Sequence, residues 1–258
     1  YPITPVEVTP DTADSWQDVD VSSYIPSGST GVILHFVNTH ADDNYAFSVR
    51  KNGSTDNRTQ VLNKNAHGWW AIGVDGNRVF EAYVGNTTSI DIYLVGYTKS
   101  GVTFLTNAVE KSPTADDAWH DMDCSNEAPN AIGLIFELER VGTVVRMGLR
   151  KNGSTDNRYN GYGTAYHSCF GAIIGCDASQ ICEVARAGTN SHFQLVGYVT
   201  DGATFNTNAT DLSLGTTGTW TDLSQLPSNS CVGFIEIASY QSSYAYGLRK
   251  KGSSEDIY

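Results

Sequence analysis

The sequence predicts an all-β chain of tandem antiparallel β-sandwich modules, of jelly-roll or immunoglobulin-like type, each about 100 residues long. Three observations predict it. The stretch RKNGSTDNR recurs letter for letter at Arg50–Arg58 and Arg150–Arg158, with a changed third copy, RKKGSSEDI, at Arg249–Ile257. Apolar residues alternate with small or polar ones, as in Tyr45, Phe47 and Val49 against Ala46 and Ser48, the period of a half-buried strand. Helical periodicity is absent, and Asn-Gly, Asp-Gly and Ser-Gly pairs punctuate the strands.

The repeat divides the 258 residues into modules at 1–108, 109–209 and 210–258, the last a first half only. Each opens on a strand carrying a tryptophan (Trp16, Trp119, Trp220) two residues before an aspartate (Asp18, Asp121, Asp222). A nearly all-apolar central strand follows, GVILHFV, IGLIFEL or VGFIEI, in which His35 matches Glu137. The next loop differs in each copy: NTHADDN, ERVGT and ASYQSS. A variable loop on a repeated scaffold is where module-specific binding would sit, and drift explains it equally well. Asp42, Asp43 and Asn44 there offer oxygen ligands of a kind Ca²⁺ accepts, without an EF-hand pattern.

The alternating strand then runs into the repeated loop. Asn-Gly suggests a type I′ turn, with Asp56 and Asn57 bonding local backbone. The competing reading is a ligand site made by Arg50, Asp56 and Arg58, and in the second copy by Arg150, Asp156 and Arg158. The turn reading takes precedence, because a turn accounts for most of what is kept.

Further on, HGWWAIGVDGNRVFEAYV aligns with HSCFGAIIGCDASQICEVA, with a hairpin expected at Asp75-Gly76. His67 and Glu81, like His167 and Glu183, read as a hydrogen-bonded structural pair before they read as acid–base chemistry. Trp69 and Trp70 fall on Cys169 and Phe170, so an aromatic platform for sugar would belong to the first module only. Tyr83, Tyr159, Tyr162 and Tyr166 are further stacking candidates. The module closes on SIDIYLVGYTKSGVTFLTNA, matched by SHFQLVGYVTDGATFNTNA, each read as a hairpin whose last strand runs into the next module without a linker. Tight junctions make a stiff rod.

The five cysteines avoid the first module, so the fold does not need disulfides. Cys124, Cys176 and Cys182 align with Val21, Val74 and Phe80, which reads as small core residues. Cys176 and Cys182 flank a turn and are the candidate bridge.

Charged residues make up 17% of the chain and net charge is −12, with no basic stripe, which argues against nucleic acid. No apolar run is long enough to span a bilayer as a helix. No G-x-S-x-G, H-E-x-x-H or P-loop occurs, so no enzyme activity or cofactor is expected.

The third module stops after its repeated loop, and Tyr1–Val8 can be laid on Phe104–Lys111. Half a sandwich would leave an apolar face wet, so Val232–Ile237 is expected to be covered in an intact assembly, by further residues or by another chain.

RKNGSTDNR and LVGYTKSGVTFLTNA, on tandem modules of this size, resemble the repeat β-sandwich modules of virion fibre, tail and microbial surface proteins. The resemblance spans the chain and carries over no functional residue. It implies a structural or adhesive role outside the cytoplasm, on an extracellular filament or virion surface, with copies of itself or neighbouring subunits as partners. The alternatives are a carbohydrate-binding array for cell-surface glycan and an accessory segment of a polysaccharide-degrading enzyme.

Overall fold

Alternating residues do form the strands. In β8 (Ile90–Thr98), Ile90, Ile92 and Leu94 are fully buried while Asp91, Tyr93 and Val95 face outward, as the two-residue period requires. The computed structural model describes residues 1–141, 146–159, 167–215, 218–237 and 246–254. All secondary structure in it is strand, and no helix is long and apolar enough to cross a membrane.

The first unit holds β1 (Pro2–Glu7), β2 (Gln17–Asp20), β3 (Gly31–Asn38), β4 (Tyr45–Lys51), β5 (Gln60–Leu62), β6 (Ala66–Gly73), β7 (Val79–Val84) and β8. They form two sheets, ordered β1-β8-β3-β6 and β2-β7-β4-β5. The pairings β1–β8, β2–β7, β3–β6 and β4–β5 nest inside one another, all antiparallel. That is the strand order of a jelly roll, which decides between the two expected sandwich types. The core between the sheets is led by Phe36, Phe47 and Phe80, with Val32, Leu34 and Trp70.

The second unit repeats the order. Its strands are β9 (Val102–Glu110), β10 (Trp119–Asp123), β11 (Gly133–Val141), β12 (Met147–Lys151), β13 (His167–Gly175), β14 (Ile181–Arg186) and β15 (Ser191–Val199). They pair as β13-β11-β15-β9 and β10-β14-β12, over a core led by Phe136 and Phe193.

Nesting corrects three local expectations. Strands on either side of Asp75-Gly76 do not form a hairpin: β6 and β7 lie in opposite sheets. The same holds across Ser100-Gly101, where β8 closes the first unit and β9 pairs with β15 of the second. The expected boundary at 108/109 therefore falls inside β9, and the second sandwich starts at its first residue. A turn signal shows that the chain reverses, but not which sheet receives the returning strand. The Asn52-Gly53 turn also differs: Gly53 has φ +82 and Asn52 is not at positive φ, the pattern of a type II turn rather than type I′.

Described residues of 210–258 form no strand. The pairing order explains this. The stretch carries counterparts of β2, β3 and β4, and in the first unit these strands pair with β5, β6, β7 and β8, never with one another. Without those partners there is no ladder. Val232 and Phe234 stand exposed in the chain as it is here.

Candidate functional site: the repeated loop

The repeated loop leaves the end of β4 and is fixed from both sides. Arg50 lies over the Trp16 ring, 4.1 Å from its centroid. Its Nε and Nη2 donate to both oxygens of Glu81 at 2.9 and 2.8 Å, and Nη1 donates to the Asp56 carbonyl. Trp16 Nε1 in turn donates to Asn57 at 2.9 Å. The second copy repeats each contact. Arg150 lies 4.1 Å over Trp119, donates to Glu183 and to the Asp156 carbonyl, and Trp119 donates to Asn157. In the third, Arg249 lies 4.1 Å over Trp220. Planar, delocalised guanidinium suits both the ring face and the carboxylate fork.

The far side of the loop binds the next unit. Asp56 Oδ2 accepts the Ala108 N–H at 2.7 Å. Asn107 Oδ1 accepts from the Ser54 hydroxyl at 2.9 Å and the Thr55 N–H at 2.8 Å. Lys51 Nζ donates to the Phe104 carbonyl at 3.2 Å. Phe104 is seated on Gly31 and Gly73, where a Cβ would come within 2.2 Å of its ring Cε2 and 2.6 Å of its Cβ. At the second junction Asp156 takes the Ala209 N–H, Asn208 takes Ser154 and Thr155, and Lys151 reaches the Phe205 carbonyl. Phe205 is seated on Gly133 and Gly175. Those glycines are required for close approach rather than for a turn.

An ion pair completes each junction. Arg58 bridges its own Asp56 at 3.1 Å and Glu137 of the second unit at 3.0 Å. Glu137 is 2% exposed, and burial pushes its carboxyl above the ordinary range while Arg58 opposes the shift. Arg158 bridges Asp156 and Glu236, both at 3.1 Å. A recess lined by Arg50, Lys51, Asp56, Arg58, Leu105 and Glu137 lies between the units. Of the six loop residues expected at a ligand site, Asp56, Arg58, Asp156 and Arg158 bond across the two junctions, while Arg50 and Arg150 hold the loop from within their own units.

The other expected residues are placed elsewhere. Trp70 is a core residue, edge-on to Phe36 and Phe47 at 5.0 and 4.8 Å. Trp69 is half-buried and stacks flat on His35, 4.5 Å between centroids. Of the stacking tyrosines, Tyr83 leans on Trp16 and Tyr159 on Trp119; Tyr162 and Tyr166 lie outside the described residues. Asp42, Asp43 and Asn44 sit on an exposed loop, where His40 Nδ1 accepts the Asp42 and Asp43 N–H groups and Asn44 accepts from Lys64. Among the described residues no group of three or more His, Cys, Asp or Glu is placed to hold a metal.

Two pairings differ from expectation. Cys176 and Cys182 are free and buried, not bridged. Cys182 lies on β14 and Cys176 just follows β13, in the opposite sheet, so they are not hairpin neighbours. The Cys176 thiol instead donates to the Ala131 carbonyl, and burial pushes it up to about 11, with Cys124 at about 12. Glu81 belongs to Arg50, and His67 pairs with His35, Nδ1 to Nε2 at 3.1 Å. Desolvation, then His67, lowers His35 to about 4. The strand register also shifts one alignment by two residues. Gly31 faces Gly73 and Gly133 faces Gly175, so Trp69 corresponds to Gly171, not Cys169.

No protein-family model matches the chain, and no curated protein sequence does. One solved structure similar to it is the N-terminal CBM22-1–CBM22-2 tandem domain of Xyn10C from Paenibacillus barcinonensis. It shares 7% identity at a TM-score of 0.23, over 72% of this chain and 83% of that one.

Proposed function

We propose that the chain is a non-enzymatic structural and adhesive repeat array of an extracellular filament or virion appendage, in which RKNGSTDNR is the joint between successive sandwiches. One observation carries this reading: the same loop makes the same bonds to the following unit twice, from Asp56 to Ala108 and from Asp156 to Ala209, each at 2.7 Å. A loop kept for local turn geometry alone has no reason to be matched by Asn107-Ala108 and Asn208-Ala209 downstream. A carbohydrate-binding array calls for open ring faces, and Trp70 is in the core while Trp69 is stacked on His35.

Calorimetry of the chain tests the joint. Units 1 and 2 are expected to melt in one cooperative step, and Asn107→Ala with Asp56→Ala to separate them into two. Independent melting of the unmodified units would remove the joint reading. Electron microscopy of the native material is expected to show a regular repeat; a free monomeric enzyme would overturn the structural role.

A further inference from the structure

Unit 2 receives the loop of unit 1 on four residues. Asn107 Oδ1 accepts from Ser54 and Thr55, the Ala108 N–H goes to Asp56, and Glu137 takes Arg58. Gly171 is the fourth. It stands beside Glu137 on β13, and a Cβ there would lie 2.5 Å from the Trp69 carbonyl and 3.1 Å from the Trp70 Cα of unit 1. Asn107 and Ala108 lie in an irregular stretch of β9, which runs from Phe104 to Val109 while its partner β15 covers only Gly197 to Leu195. Residues in a bulge leave the ladder and are aimed elsewhere; here they are aimed at the loop. Asn208, Ala209 and Glu236 do the same at the second junction.

Unit 1 has the same strands and none of the four. Register sets Glu7 against Tyr93 as it sets Glu110 against Gln194, which puts Thr4 where Asn107 stands and Pro5 where Ala108 stands. Proline has no N–H to give a carboxylate, and threonine has no amide carbonyl for the two donors. The bulge is shorter as well: β1 covers Gly96 to Leu94 with Pro2 to Val6, one residue fewer. His35 replaces Glu137, and Trp69 replaces Gly171. These rings fill the position themselves. Trp69 lies flat on His35, 4.5 Å between centroids, and His35 is 6% exposed. A loop brought there would set its arginine against a ring instead of a carboxylate, and its unit would meet an indole where Gly171 leaves room. An unpaired charge and a clash are what turn a partner away. The loops themselves do not discriminate, since Arg50–Arg58 and Arg150–Arg158 are identical.

We propose that the receiving units set the order of the array. Asn107, Ala108, Glu137 and Gly171 make unit 2 a dock for any unit that presents RKNGSTDNR, a further copy of unit 2 included. Thr4, Pro5, His35 and Trp69 make unit 1 refuse that loop. Units of the second kind can then follow one another, and a unit of the first kind follows neither through this loop. The proposal rests on the joint reading above and adds which unit the joint accepts.

Calorimetry of the full chain tests it from two sides. Ala108→Pro, Glu137→His and Gly171→Trp each set a unit 1 residue into unit 2. Each is expected to split the common transition of units 1 and 2 into two. β1 carries Pro5 as a strand, so the proline is one that the matching strand already tolerates. Two lengthened chains supply the other side. Repeating residues 102–202 in frame adds a unit that is expected to melt with its neighbours. Repeating residues 1–101 in frame is expected to leave the leading copy melting by itself. Neither lengthened chain carries a substitution, so they decide the matter even where a variant fails to fold. A repeated unit 1 that melts together with the copy before it would overturn the proposal. So would a repeated unit 2 that melts apart, or folded substituted chains that still melt in one step. An unmodified chain whose units melt separately would instead remove the joint reading itself, so the two failures are distinguishable.

Discussion

The two junctions have the same loop and different settings. At the first, Arg58 meets Glu137 with side chains 23% and 3% exposed. At the second, Arg158 meets Glu236 at 38% and 35%. Hydrogen-bond lengths are nearly the same. What differs is the acceptor: Glu137 sits in the middle of a four-stranded sheet, whereas Glu236 lies in a stretch whose described residues form no strand. The loop sequence therefore sets the geometry of a joint, and the unit that receives it sets the energy.

Removing the seated ring should separate the two junctions most. Phe104 is 4% exposed between Gly31 and Gly73. Phe104→Ala is expected to cost about 3–5 kcal/mol, the usual range for a buried phenylalanine. Phe205→Ala, at a half-exposed ring, is expected to cost well under half of that. Urea titration of each variant measures both. Equal costs would mean that the receiving unit does not matter.

Acid should reveal the difference between the outward faces of units 1 and 2. The folded pKa of His35 is about 4, below the ordinary 6.5, and that of His67 is also lowered. The unfolded chain then binds more protons than the folded one between those values. Stability from His35 is whole above pH 6.5 and declines as pH falls towards 4, by at most about 3 kcal/mol. Glu137, raised by burial, has the opposite sign: its contribution is full in acid and lost as pH rises through its folded value. Hydrogen exchange at pH 7 and pH 4.5 is expected to show β3 and β6 losing protection in acid while β11 and β13 hold theirs. In His35→Leu the acid loss should largely disappear.

Much of this was legible in the sequence, and the parts that were not share a cause. Alternation located the strands, and the recurrence of RKNGSTDNR set the repeat, with Trp16, Trp119 and Trp220 in step. Neither says which strand pairs with which. The nested order joins β1 to β8 across most of a unit, and that is a property of the closed fold. The exchanged β9, the unbridged Cys176 and Cys182, and Glu81 going to Arg50 instead of His67 all follow from it. The joint was half visible. Asn107-Ala108 and Asn208-Ala209 recur at nearly the same distance after the loop copies, Ala108 at 52 residues from Asp56 and Ala209 at 53 from Asp156, a co-occurrence that could have been read as contact. Glu137 could not have been found this way, because its counterpart in the first unit is a histidine.

Removing the carboxylate charge sharpens the comparison on a smaller scale. Glu137→Gln keeps an acceptor for Arg58, which also retains Asp56 at 3.1 Å, so the loss is less than that of an orphaned buried charge. About 1–3 kcal/mol is expected. Glu236→Gln, on a pair open to water, is expected to cost about 0–1 kcal/mol. Raising salt should shrink the second figure and leave the first nearly unchanged.

The smallest effect should be the one that is equal in both units. Trp16 and Trp119 each carry an arginine 4.1 Å above the ring and donate one hydrogen bond at 2.9 Å, to Asn57 and Asn157. This contact lies wholly within a unit, on the side of the loop away from the junction. Burial of the receiving unit should not reach it. Phenylalanine keeps a ring face for the guanidinium but offers a weaker quadrupole and no N–H. The expected cost is about 1 kcal/mol for Trp16→Phe and the same for Trp119→Phe. Glu81 and Glu183 still hold the arginines through two bonds each, so the loop should keep its shape and both joints should remain cooperative. Chemical denaturation of the two variants, read beside Phe104→Ala and Phe205→Ala, decides whether loop and junction are separable. If Trp16→Phe also splits the melting of units 1 and 2, the indole belongs to the joint, and the division between a loop that sets geometry and a receiver that sets energy does not hold.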